Sequence, residues 1–167
     1  NKHAIDLLDK ALKSGQLTAE QVAEDRLNLA KLSFAVKNYN QVLQYLEGVA
    51  QSDEILEMRV QAWQALGRLD KALPLAEQYL KGQHRINESW LQFMVGANAE
   101  LKRYAQAQHW QKQLLQRNPD QLMAWKQLAA LQQLAGQPSK ALATLRTAYI
   151  KGITFKASDL DDLIALA

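Results

Sequence analysis

Apolar side chains recur at three- and four-residue steps along most of the chain, as in Leu27, Leu29, Ala30, Leu32 and Phe34, or Leu122, Trp125, Leu128, Ala129 and Leu131. Such spacing places them on one stripe of an α-helix. The pattern predicts helices over approximately 3–14, 20–37, 40–50, 53–66, 70–81, 87–101, 105–117, 121–135, 139–151 and 157–166.

The helices come in repeating pairs. Four segments read alike: Lys37-Asn38-Tyr39-Asn40-Gln41-Val42, Gly67-Arg68-Leu69-Asp70-Lys71-Ala72, Lys102-Arg103-Tyr104-Ala105-Gln106-Ala107 and Gly136-Gln137-Pro138-Ser139-Lys140-Ala141. Each reads as a tight turn between two antiparallel helices. Asn40, Asp70 and Ser139 are placed to cap the second helix, a pattern that Ala105 breaks. Pro74 is expected in the first turn of its helix, where a missing N–H costs little. The small residues Val42, Ala72, Ala107 and Ala141 are spaced by 30, 35 and 34 positions, so linkers vary in length while helices persist. Ala4 to Leu12 matches a second helix without its first partner. A single domain over 1–167 is expected, with approximate repeats 4–18 (half), 23–52, 53–87, 88–121, 122–153 and 154–167 (half). The chain reads as part of a longer array. One hairpin has too little apolar surface to stand alone, so neighbours must stack.

Composition sharpens this picture. The 167 residues include seven Gly, three Pro and no Cys, with 48% apolar content; good helix formers dominate, and essentially no strand is expected. A formal charge of +3, dispersed along the chain, makes no case for a nucleic-acid or membrane-surface partner. No run approaches the roughly 18 apolar residues of a membrane span. Without cysteine, disulfides and thiolate metal sites are excluded, and the compartment stays open between periplasm and cytosol.

Candidate chemistry is sparse. His3, His84 and His109 are the only imidazoles, and no pair has the spacing of a helical zinc site. Asp159, Asp161 and Asp162, like Asp53 and Glu54, read as negative charge at helix starts, where it complements the dipole. No phosphate loop, dinucleotide turn or nucleophile elbow occurs. Neither enzyme activity nor a metal or other cofactor is expected. Trp63 and Trp125 fall on the apolar stripes of first helices and read as core, whereas Trp90 and Trp110 fit either core packing or partner contact.

Trp125-x2-Leu128-Ala129, the step Ala141-x3-Leu145 and Pro119 ahead of Trp125 resemble the tetratricopeptide repeat (TPR) signature, whose period is about 34 residues. The small-x3-large step recurs as Ala4-x3-Leu8 and Val42-x3-Leu46. Ala76 and Gln111 stand where that family places a bulky apolar residue, and Trp110 is the neighbour able to supply the missing volume. The resemblance implies an all-α, right-handed TPR-like solenoid of about four hairpins plus partial end repeats. A narrower resemblance rests on Glu88-Ser89-Trp90-Leu91-Gln92, Arg117-Asn118-Pro119 and Ala148-Tyr149-Ile150-Lys151-Gly152. These look like the C-terminal half of periplasmic TPR proteins that accompany bacterial TonB/ExbB/ExbD systems, which implies a periplasmic accessory role.

In TPR arrays first helices line a concave face that takes extended peptides or partner helices. Transferred residue by residue, that face is expected to hold Glu24, Leu27, Lys31, Phe34 and Ala35; then Glu54, Glu57, Gln61, Gln64 and Ala65. The next first helix gives Ser89, Gln92, Gly96, Ala99 and Glu100, and the last Met123, Lys126, Ala130, Gln133 and Leu134. Such a face is mildly negative, amide-rich and floored by small residues, suited to neutral or basic segments of another protein. The Lys and Asn clamp of chaperone-binding TPR domains is not reproduced, because Leu27 and Lys31 stand where its first two members belong. RNA binding, as in pentatricopeptide-type repeats, would need a basic groove instead. Lys102, Arg103, Lys112 and Arg117 lie around a second helix, on the expected outer side. The segment from Thr154 to Ala167 is expected to begin a further pair whose apolar face could dock another subunit.

Overall fold

The structure is a computed structural model and describes residues 2–15, 17–83, 85–159 and 161. Among the described residues the chain forms nine helices and no strand: α1 (Lys2–Lys13), α2 (Ala19–Ala35), α3 (Tyr39–Tyr45), α4 (Asp53–Ala65), α5 (Leu69–Lys81), α6 (Glu88–Glu100), α7 (Tyr104–Arg117), α8 (Leu122–Leu134) and α9 (Pro138–Ile150). They fall into two compact units, Asn1–Gln83 and His84–Ala167. In the first, α2 pairs with α3 and α4 with α5, while α1 lies against α2 and α3 against α4. In the second, α6 pairs with α7 and α8 with α9, and α7 lies against α8. Within each unit the inner second helix, α3 or α7, therefore packs between its own partner and the next first helix, the stacking that the repeat pattern requires.

All four hairpin turns are built the same way. Lys37, Gly67, Lys102 and Gly136 take positive φ, of 58°, 71°, 57° and 71°. The N–H of the following residue then reaches back five positions: Asn38 to Ser33 O, Arg68 to Trp63 O, Arg103 to Asn98 O and Gln137 to Gln132 O, at 2.8–2.9 Å. This is the Schellman closure of a helix, in which a left-handed residue lets two N–H groups satisfy terminal carbonyls. The same reaching residue is the N-cap of the next helix, so one position ends one helix and begins another.

That economy corrects the expected caps. Helix α3 is capped by Asn38, whose side chain accepts from Gln41 N–H, and not by Asn40. Arg68 and Gln137 occupy the caps of α5 and α9 without a side-chain hydrogen bond, leaving Asp70 and Ser139 inside the first turn. Because α5 starts at Leu69, Pro74 lies in its second turn, at an exposed position, where its missing N–H leaves the Asp70 carbonyl without its usual donor.

Helix α3 also stops at Tyr45, well short of the expected residue 50. Gly48 takes φ 75° just beyond it. The guanidinium groups of Arg26 and Arg59 donate to the carbonyls of Glu47 and Leu46, meeting the negative end of the helix dipole. This early stop shortens the first full repeat. Of the expected final helix, only residues 157–159 and 161 are described, and they are helical.

Val42, Ala72, Ala107 and Ala141 are fully buried, as small residues at close helix approaches must be. Around them Ala30, Val42, Leu46, Ile55 and Ala62 form a core in the first unit, with Leu27, Phe34 and Tyr39 packed against it. In the second, Leu115, Ala124, Trp125, Leu128 and Ala148 form another, covered by Ile153 and Phe155. Trp125 is buried and donates its indole N–H to Pro119 O at 2.8 Å, which fixes the loop entering α8. Trp90 is buried too, edge-on to Phe93, whereas Trp63, expected in the core, is half-buried in the last turn of α4.

Candidate functional site

Each unit opens a cleft between its successive first helices. In the first unit Lys31 and Phe34 of α2 face Glu54, Glu57, Met58 and Gln61 of α4 around about 220 Å³. Five of these six belong to the face expected from the repeat; Met58 does not. Phe34, held edge-on by Tyr39 at 5.5 Å, and Met58 supply the apolar lining. The rim is charged. Lys31 Nζ pairs with Glu54 Oε1 at 2.7 Å across the cleft, and Gln61 donates to Glu57 Oε1 at 3.3 Å. Both members of the Lys31–Glu54 pair are about half-exposed, so it is worth at most about 1 kcal/mol and a partner can displace it cheaply. Two carboxylates against one ammonium leave the rim negative, suited to a side chain with an apolar stem and a cationic head.

The second unit's cleft is lined by uncharged residues and is roomier. It is walled by Gln92, Val95 and Gly96 of α6 and by Gln127, Ala130, Leu131 and Leu134 of α8, floored by Gln111 and Leu114 of α7, and holds about 340 Å³. A further 180 Å³ continues from the same Gln92, Gln111, Leu114 and Gln127 toward Asn118, Gln121 and Met123, with Glu88 at its edge. Gln92, Gly96, Ala130, Leu134 and Met123 were legible as facing positions. Val95, Gln111, Leu114, Gln127 and Leu131 were not.

Gln111 is the floor's distinctive feature. It occupies the inward position filled by Leu46 and Leu145 in other repeats and is almost fully buried. Its amide donates to Ala124 O at 3.0 Å and to Gln127 Oε1 at 3.2 Å. Trp110, expected to make up the missing volume, instead stays half-buried, edge-on to His109 at 5.2 Å. The readable signal was Gln111 itself, a polar residue where the repeat wants bulk.

The remaining expected residues lie elsewhere. Glu24, Gln64, Glu100 and Gln133 are exposed on first helices but line neither cleft, and Leu27 packs on the core. Lys126 is half-buried, with its ammonium on Asp159 Oδ1 at 2.8 Å. That ammonium, and next the backbone N–H of Lys156, hold the Asp159 carboxyl below the usual carboxylate range. Asp159 is therefore the clasp that ties the chain after α9 to α8. His84 and Asp162 lie outside the described residues, and among the described residues no group of three or more His, Cys, Asp or Glu is placed to hold a metal ion. Nor, among them, is any helix long and apolar enough to cross a membrane.

A solved chain described as "MamA MSR-1 C2", a TPR-like protein, matches with a TM-score of 0.50 at 16% identity, over 76% of this chain and 72% of that one. The fold is a TPR-like helical-repeat solenoid. At that identity the likeness speaks for the fold alone. No protein-family profile matches the sequence, and no curated protein matches it as a relative.

Proposed function

We propose that the chain is a non-catalytic scaffold that holds a segment of a partner protein in the clefts between its first helices. One observation carries this reading: in each unit, successive first helices stand apart around a cleft that mixes apolar and polar side chains, while α3 and α7 close against the helices on either side. Concave, mostly apolar surfaces with a few placed polar groups are where ligands settle.

A photoreactive residue placed at Gln61 or Gln92, on the cleft walls, tests this against Glu77 or Lys112, exposed on second helices. In cells of the source organism, adducts are expected from the first pair only. Glu57→Lys, which reverses the rim charge of the first cleft, should cut the Gln61 adduct several-fold without loss of helical signal. Equal yields at all four positions would move the site off the clefts.

The setting we favour is the periplasm, beside a TonB/ExbB/ExbD system. It is supported by the likeness of the Glu88–Gln92, Arg117–Pro119 and Ala148–Gly152 runs to such accessory proteins. Fractionation of the native protein with the cytosol would remove it. Self-association through the chain's end is a further proposal, supported by Tyr149 and Ile150, which are large, apolar and exposed on the last turn of α9.

A further inference from the structure

Two residues in the second unit's cleft carry a local cost that the surrounding packing does not fully repay. The first is Gln111. Both amide hydrogens are spent on Ala124 O and Gln127 Oε1, which orients the group and leaves Oε1 as a buried acceptor with no donor. A buried acceptor left unmatched is destabilising, and native structures keep few of them. The second is Gly96, in the middle of α6 and exposed to the cleft. A Cβ there would meet nothing within 4 Å, and the backbone has no positive φ to require glycine. Glycine in a helix interior sacrifices stability against alanine, and here no neighbouring helix needs the room.

Both features line the same cleft. Unfavourable local choices whose cost the structure does not fully repay mark places where a sequence serves binding. A missing Cβ lets another main chain come close to α6, and an orphaned acceptor asks for an N–H. We infer that this cleft recognises an extended, uncharged segment of a partner polypeptide through its backbone, with one partner N–H donating to Gln111 Oε1 and the main chain passing over Gly96. This rests on the scaffold reading above and deepens it.

The chemistry selects the occupant. A partner helix has its N–H groups tied to its own carbonyls, except in the first turn, so it has none to offer along its length. An extended chain presents free N–H and C=O groups along its edge, and Gln92 and Gln127 carry both donors and acceptors to meet them. The walls add Val95, Leu131 and Leu134 for small apolar side chains, and among the described residues that line the cleft Glu88 alone carries a charge.

The test uses the intact chain and a peptide selected against it from a random-sequence display library. Gln111→Leu gives position 111 the side chain found at Leu46 and Leu145, and Gly96→Ala restores the Cβ. Each is expected to keep or raise the thermal midpoint while weakening the selected peptide, Gln111→Leu by tenfold or more and Gly96→Ala by several-fold. N-methylation of the peptide, one bond at a time, should find one position that costs tenfold against the natural chain and almost nothing against Gln111→Leu. Selected peptides that bind with unchanged affinity to both variants, or whose critical bond is equally critical for Gln111→Leu, overturn this inference and leave the scaffold reading standing. Failure to select any peptide overturns both.

Discussion

The left-handed turn residues show most clearly how one side chain sets local structure. Gly67 and Gly136 meet the positive φ of the Schellman closure without strain, and an added Cβ would touch nothing within 4 Å. Replacing either by Ala therefore isolates the backbone cost, and chemical denaturation should show a loss of about 1 kcal/mol each. Lys37 and Lys102 hold the same conformation with a Cβ in place. Lys37→Gly or Lys102→Gly should gain about 0.5 kcal/mol, since relief of strain outweighs the added freedom of the unfolded chain. The turns were legible because Gly-Arg, Gly-Gln and Lys-Arg pairs recur at repeat spacing. The caps were displaced because Asn40, Asp70 and Ser139 have the right side chains, while the reach-back N–H of Asn38, Arg68 and Gln137 is a main-chain property that no residue type announces.

At the scale of elements, the helices themselves were written in the three- and four-residue periodicity, and eight of the nine lie within a few residues of their expected ends. The exception, α3, is closed by Arg26 and Arg59, which come from α2 and α4. A cap supplied from neighbouring helices leaves no mark in the local pattern. Arg59→Ala should cost about 1.5 kcal/mol, the net worth of a charge-assisted hydrogen bond, and loosen amide protection in 42–46 first. Gly96→Ala, by contrast, should stabilise α6 by about 1 kcal/mol.

The clasp from Asp159 to Lys126 gives the segment after α9 a pH dependence. Asp159 is held below its ordinary value in the folded chain, first by the Lys126 ammonium and then by the Lys156 N–H. Its contribution is complete above the ordinary carboxylate pKa of about 3.9 and is lost as pH falls through the lower folded value. The amides of Ile153 and Lys156 should therefore lose protection in acid while the α8–α9 core still holds. Asp159→Asn should remove that acid step and leave those amides weakly protected already at neutral pH. An acid profile identical in the variant would show that the clasp does not hold the segment.

For the molecule as a whole, the sequence located the walls of the clefts better than their floors. Lys31, Phe34, Glu54, Glu57 and Gln61 sit together in one unit, and Gln92, Gly96, Ala130 and Leu134 in the other, because first-helix positions follow from repeat spacing. Gln111 and Leu114 reach the second cleft from α7, a second helix, so no rule for facing positions could nominate them. Glu100 and Lys126 show the converse: one lies outside both clefts, and the other is bound to Asp159.

The central claim, recognition of a polypeptide on the first helices, is tested most directly by residue-resolved amide exchange on the intact chain, alone and with its captured partner. Slowed exchange concentrated in α2 and α4, or in α6 and α8, is the result expected. Slowing confined to the exposed faces of α5, α7 and α9, with the first helices unchanged, would contradict it.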